Sequence, residues 1–399
     1  MVLWCYMETV NSNRNELFVL FLIFCVVLSA LVSPLLGFYC AIFVLLLFNI
    51  NNLILRNIIS VISILSGCGI YASRVIGFSM SDDFYNTYIP IYESIRNGGS
   101  IFVEQYSGGA EFGLPAVFLL FSKLGFNDNY PLMMYCISLF CSLGFYSWLE
   151  YEIIPEIDKN KKSLCIASSI AFFSFFASTQ LIRQMVATVF ILFCLSALRR
   201  RKTLRFIFLL VVGSIFHLTT VVVVLIFVIL AFGSKKQKLV LLCSVAFISF
   251  LFKIVVGFIL SGGLLSVASY KAEYYQQTTK LGFHLSGAFK FLFPATIAAL
   301  FFSSSKFKKI NNVLFFGMVL YIILLPMPAM SDRMLMPLTF FAIGTAIFFS
   351  FYKTPNFLKL LLSLYITYKF ITMGPMYNGA GSDPFYLWSS YPWLGPFIS

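Results

Sequence analysis

The feature that most constrains this chain is the recurrence of apolar runs about as long as a membrane is thick. A helix of about 20 apolar residues crosses roughly 30 Å of hydrocarbon, and such runs follow one another between residues 17 and 374. With 60% hydrophobic residues, 11% charged residues and a mean hydropathy of +0.92, the composition excludes a soluble globular protein. The strict alternation of a membrane barrel is absent. The reading is an all-α, multi-pass membrane protein, with residues 1–399 forming a single integral membrane domain. The first run is followed at once by a second, without a small-residue cleavage site, which argues against a cleavable signal peptide.

The charges then orient the spans. A net charge of +13 could indicate a nucleic-acid partner, but its distribution does not. Eighteen of the 28 Lys and Arg residues lie at positions 14, 56, 159–162, 199–205, 235–238, 306–309, 353 and 359, in short clusters between apolar runs. Clustering of that kind marks cytoplasmic loops. Placing every cluster inside yields spans near 17–33, 35–55, 58–78, 130–150, 163–180, 182–198, 204–216, 218–232, 238–260, 285–303, 311–326, 333–352 and 356–374, about 13 transmembrane helices. The segment "RFIFLLVVGSIFHLTTVVVVLIFVILAF" is basic at both ends, so it goes out and returns as a hairpin. Residues 113–125 are too short to cross and are expected to lie in the outer surface. Outward-facing segments are then 79–129, 261–284 and the tail 375–399. They carry most of the 15 acidic residues. Arg56 falls among the cytoplasmic-edge cations, where its loss would leave activity intact. The nine cysteines lie mostly within apolar runs and read as small buried residues, with neither disulfide nor zinc spacing.

Four features could carry chemistry. The stretch "SDDFYNTYIPIYE" and its continuation bring Asp82, Asp83 and Glu111 together with Tyr85, Tyr88 and Tyr92. Carboxylates accept hydrogen bonds from sugar hydroxyls, and tyrosine rings stack on pyranose C–H faces; the plainer alternative is a solvated loop with interfacial tyrosines. In "STQLIRQMVA", Gln180, Arg183, Gln184 and Ala187 share one helical face. In "MSDRMLMP", Arg333 follows Asp332. Each arginine is expected at the outer start of an inbound helix, where a cation opposes the helix dipole unless an anion such as phosphate sits between them. The alternative is an arginine snorkelling to the headgroups. The fourth feature is histidine. His217 lies at the outer turn of the apolar hairpin, where a neutral imidazole could serve as a general base, whereas His284 reads as a polar turn residue. No phosphate-binding Gly-rich loop, GxSxG elbow, HExxH or Cys–His metal spacing occurs.

Taken in order, the acidic D…Y…Y segment, "EFGLP" before a short helix, "RQ" opening a middle span, "FH" in a later hairpin and a late arginine resemble the EpsG-like branch of the Wzy polysaccharide polymerases, over residues 70–350. The resemblance implies a GT-C-like bundle in the bacterial inner (cytoplasmic) membrane, with the active site facing the periplasm. It implies a glycosyltransferase that moves a growing O-antigen or exopolysaccharide glycan from undecaprenyl diphosphate to a lipid-linked repeat unit. Carried over, Arg183 and Arg333 would bind the diphosphate with help from Gln184. His217 or one of Asp82, Asp83 and Glu111 would take the acceptor proton, and Tyr85, Tyr88 and Tyr92 would bind sugar. The partners implied are undecaprenyl-diphosphate-linked oligosaccharides, membrane lipid and a chain-length regulator, with no nucleic acid, no cofactor and no metal. Competing readings are a GT-C enzyme with a monophosphate sugar donor, an O-antigen ligase, and a polysaccharide flippase or transporter.

Overall fold

Prolines and capping residues decide where the apolar runs become helices. The computed structural model describes residues 18–74, 76–77, 82–262, 288–325, 327 and 330–373, with side chains for all of these except 252–262 and 373. The expected outer segment 261–284, beyond its first two residues, and the tail 375–399 lie outside the described residues, as does His284. Among the described residues every regular element is helical and none is a strand. The helices gather into two compact units, Met1–Ile182 with Pro355–Ser399, and Arg183–Thr354.

The first unit begins with α1 (Phe18–Val32) and α2 (Pro34–Leu47), separated by Ser33. Ser33 is extended, and its hydroxyl accepts the Leu35 N–H while Pro34 opens the next helix, the usual way to stop one helix and start another. α3 (Leu53–Ala72) is capped by Asn52, whose side chain accepts the Ile54 and Leu55 N–H groups. The expected outer segment 79–129 is itself structured. A π-helical turn (Phe84–Tyr88) runs into α4 (Ile89–Arg96), which packs on α5 (Gly113–Lys123). At about 1.5 Å per residue, the 11 residues of α5 are too few to cross, as expected. α6 (Tyr130–Trp148) starts at the Asn129 cap and continues through tighter and wider turns to Glu156. α7 (Lys162–Ala171) and α8 (Phe175–Gln180) follow. The chain returns to this unit as α17 (Pro355–Met373), which lies on α2 and α7.

The second unit takes up α9 (Ile182–Arg199), whose first residue belongs to the first unit, then α10 (Thr203–Phe216), α11 (Thr220–Phe232) and α12 (Lys235–Gly262). After these come α13 (Phe289–Phe302), α14 (Lys308–Leu324), α15 (Met330–Met334), a π-helical turn (Pro337–Phe341) and α16 (Ile343–Ser350). α14 packs against α11, α12, α13 and α16. The expected hairpin is present as α10 and α11.

Among the described residues, four helices are long and apolar enough to cross a membrane: Leu53–Ala72, Tyr130–Glu156, Ile182–Arg199 and Ser305–Leu324. They coincide with the expected spans 58–78, 130–150, 182–198 and 311–326. Shorter apolar helices, including α1, α2, α10, α11 and α13, occupy other expected positions. Two expected spans are broken. The run 163–180 is interrupted between α7 and α8, where Phe173 and Phe175 are buried and Ser174 caps α8 through the Ala177 N–H. Phe175 lies so close to α3 that a Cβ at Gly67 would come within 2.7 Å of its ring. The run 333–352 is interrupted at Pro337, which lacks the N–H a continuous helix needs. Leu335, Met336, Pro337 and Leu338 around that break are buried, as irregular backbone at membrane depth must be.

Arg56, expected at the cytoplasmic edge, is buried and paired. Its side chain is 3% exposed, and its Nε and Nη2 donate to Glu150 Oε1 and Oε2 at 3.0 Å each. Tyr146, one turn before Glu150, donates its hydroxyl to Asn57 at 2.7 Å. A guanidinium buried at a helix packing surface needs a carboxylate partner, and Glu150 supplies it.

Candidate functional site

In the first unit, polar groups converge on Asp82, just before the π-helical turn. Its carboxylate is 1% exposed. Oδ2 accepts Arg74 Nη1 at 2.7 Å and the Gly77 N–H at 3.0 Å. Oδ1 accepts Arg74 Nη2 at 2.9 Å, Gln180 Nε2 at 3.0 Å, and the Phe84 and Tyr85 N–H groups at 3.1 and 3.4 Å. Asp82 therefore acts as a bidentate partner for Arg74 and as a cap for the helical turn behind it. Burial alone would raise its pKa, but the hydrogen bonds from Arg74, Gln180 and Gly77, together with the Arg74 charge, bring it down to about 2.

The same arrangement settles the neighbours of Asp82. Gln180 turns its amide so that Nε2 donates to Asp82 while Oε1 accepts the Asp83 N–H at 2.9 Å. Asp83 is half-buried. Gly77 has φ +76°, and a Cβ there would meet the Tyr85 ring at 3.1 Å, so this turn calls for glycine on both counts. Tyr85 remains 51% exposed. Tyr88 and Tyr92 are 5% and 0% exposed, and the Tyr92 ring meets Phe118 and Tyr130 edge-on. Of the three tyrosines expected to bind sugar, only Tyr85 is exposed; Tyr88 and Tyr92 are buried, and Tyr92 packs against α5 and the start of α6. Glu111 is 2% exposed and accepts the Ser107 hydroxyl at 3.2 Å, after a turn in which Ser107, Gly108 and Gly109 all have positive φ.

In the second unit, two distant sequence motifs meet. Gln184, 8% exposed on α9, donates from Nε2 to the Arg333 carbonyl at 2.8 Å. Thr339 donates its hydroxyl to the Asp332 carbonyl at 3.1 Å, and the Tyr321 hydroxyl donates to Asp332 Oδ1 at 3.0 Å. The five-residue helix α15 is thus held from three sides, with Arg333 half-buried upon it. Arg183, half-buried, precedes Gln184 on the first turn of α9. Gln184, expected to assist at the diphosphate, spends an amide donor on the backbone of Arg333. His217 sits half-buried at the turn between α10 and α11, where its backbone N–H donates to the Gly213 carbonyl at 3.0 Å and its backbone carbonyl accepts the Thr220 N–H.

The shared helical face expected for Gln180, Arg183, Gln184 and Ala187 is interrupted. Leu181 leaves helical geometry (φ −99°, ψ 45°), so Gln180 ends α8 and the other three begin α9. The residue that sequence reasoning passed over is Arg74. A signal for it was present, because a charge at the end of an apolar run must find a partner, and Asp82 lies eight residues on. Among the described residues no group of three or more His, Cys, Asp or Glu side chains could share a metal ion, and the eight described cysteines are free thiols.

Comparison with protein-family models finds a match to the EpsG family over residues 57–390. No curated protein matches the chain, and no solved structure does.

Proposed function

The chain belongs to the EpsG family, a family related to polysaccharide polymerases, and from that premise we propose that it polymerises a bacterial surface polysaccharide at the outer face of the inner membrane. The substrates on this reading are undecaprenyl-diphosphate-linked oligosaccharides, the bundle is GT-C-like, and the acidic segment 79–129 faces the periplasm. The observation that carries the reading is the bond from Gln184 to the Arg333 carbonyl. It joins the two arginine motifs, 149 residues apart, that a diphosphate would need together.

In the reaction, the acceptor hydroxyl oxygen attacks the anomeric carbon of the donor glycan. The new C–O bond forms as the bond from that carbon to the diphosphate oxygen breaks, and its electron pair leaves on the lipid diphosphate. The acceptor proton goes to a base, and His217 is the candidate that lies in the same unit as the two arginines. Arg183 and Arg333 hold the charge that grows on the leaving oxygens, and their planar forks suit phosphate oxygens. Gln184 supports this by fixing the backbone of Arg333.

A second reading, transport, draws on the helices broken at α7–α8 and α15–α16, since transporters often bind substrate at broken helices. One experiment separates the two. Deleting the gene and resolving surface polysaccharide on a gel should leave single repeat units in place of a ladder. Loss of all surface product would support transport, and an unchanged ladder would overturn both.

A further inference from the structure

Two neighbours on α15 carry opposite charges and keep different company. Asp332 Oδ1 accepts the Tyr321 hydroxyl at 3.0 Å. Tyr321 is fully buried in α14, so this bond ties the carboxylate to the long helix against which α15 packs. Arg333 is half-buried, and among the described residues no hydrogen bond or ion pair engages its guanidinium. The arginines of the first unit differ. Arg56 and Arg74 each grip a carboxylate through two nitrogens, and Arg96 pairs with Asp128. Residues side by side in a helix do not face each other, and the bond to α14 holds Asp332 further from Arg333. The backbone is fixed at the same place. Thr339 Oγ1 donates to the Asp332 and Leu335 carbonyls at 3.1 Å each, and Gln184 Nε2 donates to the Arg333 carbonyl at 2.8 Å. Gln184, Tyr321, Asp332, Arg333 and Thr339 all belong to the second unit. A half-buried guanidinium without a carboxylate is costly in a membrane protein unless an anion comes to it.

We propose that Tyr321 is a positioning residue for Arg333: by holding Asp332 on α14 it keeps the adjacent carboxylate from neutralising the arginine, whose fork stays open to the leaving diphosphate. Thr339 and Gln184 fix the backbone that carries the fork. This rests on the polymerase reading above and adds the reason why the Arg333 charge is available. As the bond between the anomeric carbon and the diphosphate oxygen breaks, its electron pair goes to that oxygen, and Arg333 meets the growing charge. Tyr321 and Asp332 exchange no proton with the substrate.

The test uses the purified full chain in detergent, with lipid-linked repeat unit isolated from the deletion strain as substrate and the initial elongation rate against its concentration as the readout. Tyr321→Phe removes one oxygen and leaves the buried ring. It should lower kcat by about 10- to 100-fold, as misplacement by an ångström can, and lower kcat/KM equally, the pattern of a contact made only in the transition state. Adding Asp332→Asn to Tyr321→Phe takes away the competing charge and should recover at least about fivefold, a rescue that a merely structural role would not give. In an Arg333→Ala background, Tyr321→Phe should cost less than about twofold more, because a residue that acts through another is not additive with it. If Tyr321→Phe does not fold, Thr339 decides: Thr339→Ser, which keeps the hydroxyl, should elongate at least about fivefold faster than Thr339→Val. The assignment of Tyr321 fails if Tyr321→Phe elongates at the wild-type rate, if its loss lies wholly in KM, if Asp332→Asn brings no recovery, or if its effect multiplies with that of Arg333→Ala. It fails equally if the serine and valine variants of Thr339 run at one rate. Failure of the wild-type chain to elongate the repeat unit would instead sink the polymerase reading itself.

Discussion

Helix α3 carries a buried arginine–carboxylate pair near each end, and the two pairs differ in everything but their chemistry. Arg56 near its start meets Glu150, 94 residues away, and the neighbouring Asn57–Tyr146 bond lies beside it. These links join α3 to the far end of α6 and hold two long apolar helices in register, a role for which interhelical polar contacts in membranes are suited. Arg74, just past the end of α3, meets Asp82 only eight residues on, and that carboxylate passes its bonds to a turn bearing half-buried Asp83 and exposed Tyr85. A buried bidentate pair is therefore no sign of a site by itself.

The largest expected effect tests the pair assigned to stability. Arg56→Ala would strand Glu150 in a site that is 11% exposed, and breaking a buried pair costs about 3–5 kcal/mol. Thermal unfolding of the purified protein should fall sharply. Replacing both partners, Arg56→Met with Glu150→Met, should recover most of that stability and give wild-type ladders per folded molecule. The corresponding double replacement at Arg74 and Asp82 should leave the chain folded but nearly inactive. Equal activity in the two double variants would erase the distinction between the two ends.

Next come the arginines of the second unit. Removing a preorganised contact to a leaving diphosphate costs about 2–4 kcal/mol, which is roughly 30- to 1000-fold in rate. Arg183→Ala and Arg333→Ala should express normally and make no long chains, and their lysine variants should be clearly impaired because lysine lacks the bidentate fork. Full rescue by lysine at both positions would mean headgroup snorkelling, and the diphosphate assignment would fall.

A third expectation follows from the depressed pKa of Asp82, about 2 against about 3.9 for an unfolded aspartate. Because the folded value is the lower one, its stabilisation is full above about pH 5 and is lost as pH falls toward 2. The size is about 2 kcal/mol. Wild type and Asp82→Asn should thus differ most in unfolding midpoint near pH 6 and converge near pH 2. A gap that persists at pH 2 would remove ionisation from the account of this pair. The smallest effect belongs to Gly77→Ala, which strains a positive φ for about 1 kcal/mol and crowds Tyr85; a modest loss of ladder length with little loss of yield is expected.

What was legible in the sequence followed from local rules. Apolar length and charge clustering located four long apolar helices, the α10–α11 hairpin with His217 at its turn, and α5 as a helix too short to cross. Residue type also marked the acidic turn and both arginine motifs. The breaks at Ser174 and Leu181 were hidden, because helical periodicity assumes an uninterrupted helix and Gln180 was assigned to the wrong face on that assumption. The burial of Tyr88 and Tyr92 was hidden too, since a tyrosine serves equally as core or as sugar platform until its neighbours are known.

By itself, then, the sequence determined that the chain is helical, membrane-sized in its apolar runs and acidic in one segment, since each of these depends on the composition and spacing of neighbouring residues. Only the tertiary structure decided which arginine meets which carboxylate. Arg56 with Glu150, Arg74 with Asp82 and Gln184 with the Arg333 backbone are choices made by helix packing. The same side chains, differently packed, would have satisfied their charges elsewhere at similar local cost, and it is the packing that encloses Asp82.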